Sequence, residues 1–146
     1  MAFFPNDMPR PAPNMYEAGF WNACAEKRLR FQACGACGQL RHPPMPICPA
    51  CHSTEVAWVD APAAAEVYSY TVVHHASHPA VVGNLPYVVG IVTFPDLPGV
   101  RLVSNVTDIP TGDVHIGMKL EVWWDDIGDG MCIPRFRPAD GTGSGV

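Results

Sequence analysis

Between Met118 and Asp125 the chain alternates strictly, with Met118, Leu120, Val122 and Trp124 interleaved with Lys119, Glu121, Trp123 and Asp125. A period of two puts each set on its own face, so the segment reads as a half-buried strand. Four other segments beyond Asp60 carry a similar β-branched and aromatic signature: 66–74 (EVYSYTVVH), 87–94 (YVVGIVTF), 100–106 (VRLVSNV) and 131–137 (MCIPRFR). Tight-turn sequences punctuate them at 96–99 (DLPG) and 126–130 (DIGDG), while a longer connection holds His78-Pro79 and Gly83-Asn84. Five short strands with no long helix among them predict a small closed barrel, and the OB-fold is the commonest five-stranded solution.

Upstream the pattern changes. Residues 1–13 contain Pro5, Pro9, Pro11 and Pro13, cannot form a helix, and read as an extended arm. Asn14 followed three residues later by Glu17 resembles a capping box, opening a helix over 15–28. Phe20 and Cys24 fall on one stripe of that helix, with Trp21 and Ala25 beside it. The stripe either packs inside the chain or presents Phe20 and Trp21 as an anchor for a partner. Short strands at 29–32, 39–42 and 56–59 then surround two cysteine pairs. The expected organisation is an arm and helix over 1–28, a ribbon over 29–60, a barrel over 61–139 and a flexible tail over 140–146. The glycines of that tail lack a following Lys-Ser/Thr, so they are no phosphate loop.

The cysteine pairs carry the most specific chemistry. Cys34-Gly35-Ala36-Cys37 and Cys48-Pro49-Ala50-Cys51 lie ten residues apart, a spacing that brings four thiolates together for a tetrahedral Zn²⁺. Each Cys-x-x-Cys folds as one tight turn, which Gly35, Gly38 and Pro49 suit. Disulfides would need an oxidising compartment, and the start of the sequence, Met1–Pro5, has neither a basic n-region nor a long apolar stretch, so a cytoplasmic chain with structural Zn²⁺ is expected. Four thiolates leave no open position on the metal for water. His42 and His52 lie close enough in sequence to be spare ligands, but beside four cysteines they read as exposed or hydrogen-bonded neighbours of the site.

Charge changes the picture of what such a module binds. The formal net charge is −5, with five basic and three acidic residues over 1–51 against four basic and eleven acidic over 52–146. Phosphates dominate nucleic-acid affinity, so a barrel half carrying −7 disfavours the single-stranded nucleic-acid binding that ribbons and OB barrels otherwise suggest. No apolar run reaches membrane-spanning length.

A search for chemistry of the chain's own finds no Gly-x-Ser-x-Gly elbow. Cys24 and Cys132 read as small buried hydrophobes. His74 and His75 form a cluster with His78 after the first barrel strand, but alternation puts His74 and His75 on opposite faces, which weakens a metal site. They stand as candidate substrate or partner contacts. Arg135, Phe136 and Arg137 are a second candidate set: the two guanidiniums share a strand face and suit a ligand's phosphates or a partner's carboxylates. The competing reading has the arginines neutralise Asp125, Asp126 and Asp129 across the hairpin. No catalytic residue is assigned.

The succession FWNACAEKRLRFQACGACGQLRHPPMPICPACHS, VYSYTVVHH, LPYVVGIV, GVRLVSNV, IGMKLEV and IPRFRPA resembles the DUF35 family. The resemblance spans residues 20–139. It implies a mainly β fold: an N-terminal helix, a rubredoxin-like four-cysteine zinc ribbon and a C-terminal five-stranded OB-fold barrel. It further implies a non-catalytic accessory subunit that pairs with a thiolase-superfamily protein, either a thiolase or a lipid-transfer-protein-like aldolase. Such complexes form or break carbon–carbon bonds in acyl-CoA thioesters, with the catalytic residues on the larger subunit. A hetero-oligomer and a CoA thioester as shared ligand are therefore expected, and the alternative is a single-stranded nucleic-acid-binding OB and zinc-ribbon protein.

Overall fold

A computed structural model of the chain describes residues 2–62 and 64–139; the expected tail lies outside them. Asn14 and Glu17 form the reciprocal capping box, with Asn14 N–H donating to Glu17 Oε1 at 2.9 Å and Glu17 N–H to Asn14 Oδ1 at 3.0 Å. The helix that follows, α1 (Ala18–Ala25), is shorter than the pattern predicts. It stops because Lys27 takes a left-handed conformation (φ 60°). Arg28 N–H then reaches back to Ala23 C=O and Lys27 N–H to Cys24 C=O, closing a Schellman motif with a lysine where glycine is usual.

The ribbon sheet has β1 (Arg30–Cys34) at its centre, flanked antiparallel by β2 (Leu40–Arg41) and β3 (Val56–Asp60). Its buried Gln32 accepts from Arg41 Nε and from Met45 N–H, tying the proline-rich turn to the sheet. A barrel follows, built from β4 (Ala65–Val73), β5 (Tyr87–Thr93), β6 (Arg101–Val106), β7 (Lys119–Gly128) and β8 (Met131–Pro138). The closed order β4-β5-β6-β8-β7 is that of an OB-fold, the one parallel pairing being Val106 opposite Phe136. Asp129 and Gly130 both have positive φ between paired Gly128 and Met131; this two-residue Asp-Gly turn matches the twist of its strands.

Ribbon and barrel share one core. Phe31 of β1 is fully buried, with ring centroids 6.1 Å from Phe20 on α1 and 5.2 Å from Phe94 after β5, and Phe94 continues at 6.2 Å to Phe136 in β8. Alternation correctly sets Phe136 opposite Arg135 and Arg137, but its face points into the barrel. Phe136 and Phe20 are thus core residues; Phe20 takes the intramolecular one of its two readings, and Phe136 is no surface contact.

Helix α1 reaches the ribbon through Gly19, where a Cβ would overlap the Trp58 indole, 2.6 Å from Cε2. Alanine in a helix interior gains about 1 kcal/mol over glycine, but overpacking costs about 1–3 kcal/mol. Gly19→Ala should therefore lower the urea midpoint, and trimming the ring in Gly19→Ala/Trp58→Leu should recover part of the loss. Unchanged or increased stability in the single variant would disprove the close approach.

Candidate metal centre and the covered barrel face

The sulfur atoms of Cys34, Cys37, Cys48 and Cys51 all lie within 4.8 Å of one another. Cys34 Sγ is 3.5 Å from Cys51 Sγ, and Cys37 Sγ is 3.7 Å from Cys48 Sγ. A tetrahedral ion with Zn–S bonds of about 2.3 Å sets its sulfurs about 3.8 Å apart, so the cluster fits Zn²⁺. Two matching turns build it. Gly38 N–H bonds Cys34 C=O, and His52 N–H bonds Cys48 C=O, each at 2.9 Å. Each turn ends on a left-handed residue, Gly38 (φ 81°) and His52 (φ 65°). Gly35 is required for room, since a Cβ there would lie 2.9 Å from Glu55 Cβ.

Backbone amides prepare the sulfurs for a cation. The N–H groups of Cys37 and Ala36 bring the Cys34 thiol down to about 6, and those of Cys51 and Ala50 lower Cys48. At Cys51 the Ser53 N–H acts in the same direction, yet the neighbouring cysteines outweigh it and push the thiol up to about 12. Four thiolates repel at this separation, and a divalent cation between them removes the conflict. With four sulfurs around it, such an ion holds the ribbon together.

His42 has no place at this centre. Its ring sits against Phe20 (5.0 Å) and Phe31 (5.2 Å), and its Nδ1 is buried without a hydrogen-bond partner. Burial pushes it down to about 4 despite the opposing Glu17 carboxylate. The other thiols are also inert: Cys24 is fully buried and raised to about 12 by burial and by Cys132. His78 caps the short 3-10 turn Pro79–Asn84, its Nδ1 accepting from Ala80 N–H. His74 and His75 are exposed just past β4.

The arginines separate. Arg137 is half-exposed and pairs with Glu121 at 2.9 Å. Arg135 is buried, its side chain 7% exposed, with Nε 2.6 Å from Asp125 and Nη1 2.6 Å from Asn105. Neutralisation across the hairpin is what the structure adopts here, with Asp125 as the partner. Over this ion pair lies the N-terminal arm. Phe3 N–H donates to the Asp125 carboxylate (3.2 Å), Asn84 Nδ2 donates to Phe3 C=O (2.9 Å), and the Phe3 and Phe4 rings each lie 5.2 Å from the Arg135 guanidinium. Arg10 then clips to Ile127 C=O and Gly128 C=O at 2.7 and 2.8 Å. The proline content excludes a helix here; the docking depends on hydrogen bonds to residues 81 to 122 positions away in sequence, which no local pattern reveals.

A cavity of about 520 Å³ opens between this arm, α1 and the outer face of β5, β6 and β8, with half-buried Trp21, His42 and Tyr87, exposed Arg101 and buried Arg135 in its walls. The corresponding face carries the ligand in nucleic-acid-binding OB domains; here Phe3 and Phe4 cover part of it. Among the described residues no helix is long and apolar enough to cross a membrane.

Two family models match the chain, "ChsH2, rubredoxin-like zinc ribbon domain" over residues 21–57 and "ChsH2, C-terminal OB-fold domain" over 58–125. The chain is 42% identical over 131 residues to a "Probable enoyl-CoA hydratase alpha subunit" of Thermomonospora curvata, covering 90% of this chain and 40% of that relative. It is 34% identical over 114 residues to a "DUF35 domain-containing scaffold protein" of Methanocaldococcus jannaschii, covering 73% and 79% of the two chains. Among solved structures it superposes on a chain of the "Ltp2-ChsH2(DUF35) aldolase" with a TM-score of 0.80 and 41% identity, over 88% of this chain and 98% of that one. The chain spans about two fifths of the length of the hydratase subunits it matches.

Two outcomes follow for the site. Cys37→Ser should lose its zinc by metal analysis and expose the Phe31 column to a hydrophobic dye, because structural zinc supplies about 10–16 kcal/mol to such modules; zinc retained at the wild-type level would remove the four-sulfur assignment. His42 titrates near 6.5 when unfolded and at about 4 when folded, so the unfolded chain binds the extra proton and acid destabilises the fold. Its contribution is complete above about pH 6.5 and is lost as pH falls toward 4, by roughly 1 kcal/mol between about pH 7.5 and 5.5. Urea midpoints should fall over that range more steeply for wild type than for His42→Phe; parallel profiles would show that His42 titrates normally.

Proposed function

Since this chain belongs to the DUF35 family of zinc-ribbon and OB-fold proteins, we propose that it is a non-catalytic subunit of an acyl-CoA enzyme. In this reading it pairs with a thiolase-superfamily protein, a thiolase or a lipid-transfer-protein-like aldolase. The complex makes or breaks a carbon–carbon bond in an acyl-CoA thioester. The observation that carries the reading is the match to the aldolase chain, which extends through ribbon and barrel together. A cytoplasmic setting, a hetero-oligomer and a CoA thioester shared between subunits belong to the same proposal. Trp21, His74, His75 and Arg137 remain candidate contacts for the partner or its substrate, and the division at residues 28, 60 and 139 belongs to it as well.

The local chemistry supports a structural role for the chain. Its thiols are committed to the metal cluster or buried, and His42 is held neutral in an aromatic pocket. A second reading, the accessory part of an enoyl-CoA hydratase, is favoured by the identity to the hydratase alpha subunit. Single-stranded nucleic acid is disfavoured by the charge of the barrel half and by the arm on its ligand face.

Tagged chain co-expressed with its genomic neighbours should capture a thiolase-superfamily protein, and carbon–carbon cleavage or condensation of an acyl-CoA should require both proteins. Capture of a hydratase subunit, with water addition as the only activity, would establish the second reading instead. Turnover by the isolated chain would overturn the non-catalytic assignment, and salt-sensitive retention of single-stranded DNA would overturn the class.

A further inference from the structure

The arm that covers the barrel is hydrogen-bonded to it at two points, and between them it is held by ring contacts alone, the Phe4 ring lying 5.2 Å from Tyr87 and 5.2 Å from the Arg135 guanidinium. Phe3 and Arg10 make its hydrogen bonds to the barrel. Among the described residues, none joins 4–9 to the strands, and this stretch makes one turn of its own, from Met8 N–H to Pro5 C=O. No residue from 2 to 13 belongs to a strand. This stretch separates the 520 Å³ cavity from a second of about 770 Å³ that reaches the β7–β8 turn. Both cavities are walled by Phe4 and Met8 above and by Ile133 and Arg135 below. Two arm side chains therefore divide what would be one groove along the outer face of the barrel.

Displacing them leaves no stranded charge. Asp125 and Asn105 already satisfy Nε and Nη1 of Arg135, and Asn105 is itself held by Val88 C=O. Arg135 Nη2 has no hydrogen-bond partner among the described residues, although the side chain is 7% exposed and lines both cavities. With Asp125 cancelling its charge, this nitrogen suits a neutral acceptor such as a carbonyl oxygen. Arg101, at the wall of the smaller cavity, is different. It stacks on Tyr68 at 4.1 Å and meets no carboxylate among the described residues, so its positive charge is uncompensated and suits an anion.

We propose that Phe4 and Met8 form a movable wall over a single groove that takes an elongated apolar acyl group, whose carbonyl is held by Arg135 Nη2 and whose anionic portion is held by Arg101. The cavities each fall in the size range of ligand sites, about 300–1,000 Å³. Closing the arm over an empty groove reduces apparent affinity by the fraction of time that the groove is open. The proposal rests on the acyl-CoA reading of the chain, and names the place on this subunit where the acyl group lies. A free acyl carboxylate and an acyl-CoA share the required chemistry.

The test uses the zinc-loaded chain with a dansyl-labelled undecanoate probe, and with octanoyl-CoA, octanoate and CoA as competitors. The probe should bind, and Arg101→Gln should weaken it about tenfold. Phe4→Ala/Met8→Ala should bind several-fold more tightly than wild type by opening the groove. In methionine-methyl NMR spectra, the Met8 signal should move toward its random-coil position as probe is added. Displacement by octanoyl-CoA but not by CoA would identify a thioester-linked acyl group, and displacement by octanoate alone a free carboxylate. Absence of binding in both wild type and the opened variant would overturn the proposal, as would binding that leaves Met8 unmoved or is indifferent to Arg101. The capture experiment is independent: partner capture without probe binding would refute only this groove, and probe binding without a partner would refute only the complex.

Discussion

The seat of Phe31 between Phe20 and Phe94 is the contact on which the rest of the molecule depends. A three-stranded ribbon is too small to bury a core by itself, and here its apolar side chains join those of α1 and the closed barrel in one cluster. Phe31 makes that joint, because β1 carries it on the face opposite Gln32, and Phe94 and Phe136 continue the column into the barrel. Each buried aromatic contributes about 1.5–3 kcal/mol by area, and each pair about 0.5–1.5 kcal/mol more. The metal stabilises the ribbon more strongly than any one of these rings. A metal at the four sulfurs would fix the turn at the end of β1, and the aromatic column joins that strand to α1 and the barrel.

Much of this is legible in the chain because it is governed by local rules. Alternation locates β7, β-branched and aromatic runs bounded by turns locate the other four barrel strands, and the spacing of the cysteines locates their cluster. Where the sequence misleads, a distant partner decides. Helix periodicity runs on through Lys27, but the chain turns there into a left-handed cap so that Leu29 can enter the core. Arg135 looks like a surface cation because a strand pattern says nothing of what lies above it, and Phe3 and Phe4 come from the other end of the chain. Phe20 reads equally as a core or a surface residue because a stripe records which residues share a face, not what covers them. His42 draws attention as a neighbour of the cysteines, whereas its chemistry follows from two phenylalanines.

The same covered face decides how the barrel relates to other OB domains. A strand-binding barrel needs a cationic groove and exposed rings on which bases stack. Here the central cation, Arg135, is cancelled by Asp125 and hidden beneath Phe3 and Phe4, and Tyr68 is already occupied by Arg101. The rings of Phe3, Phe4 and Tyr68 are each engaged with an arginine, and the arginine beneath the arm has given its charge to a carboxylate. Opening the arm would uncover a lined apolar groove with one free guanidinium at its wall. Such a surface discriminates by shape and by a single charge and has no means of following a polyanion. The acidic excess of the barrel half disfavours nucleic acid on electrostatic grounds, and the arm disfavours it on steric grounds. These are two expressions of one arrangement: Asp125 both neutralises Arg135 and anchors Phe3.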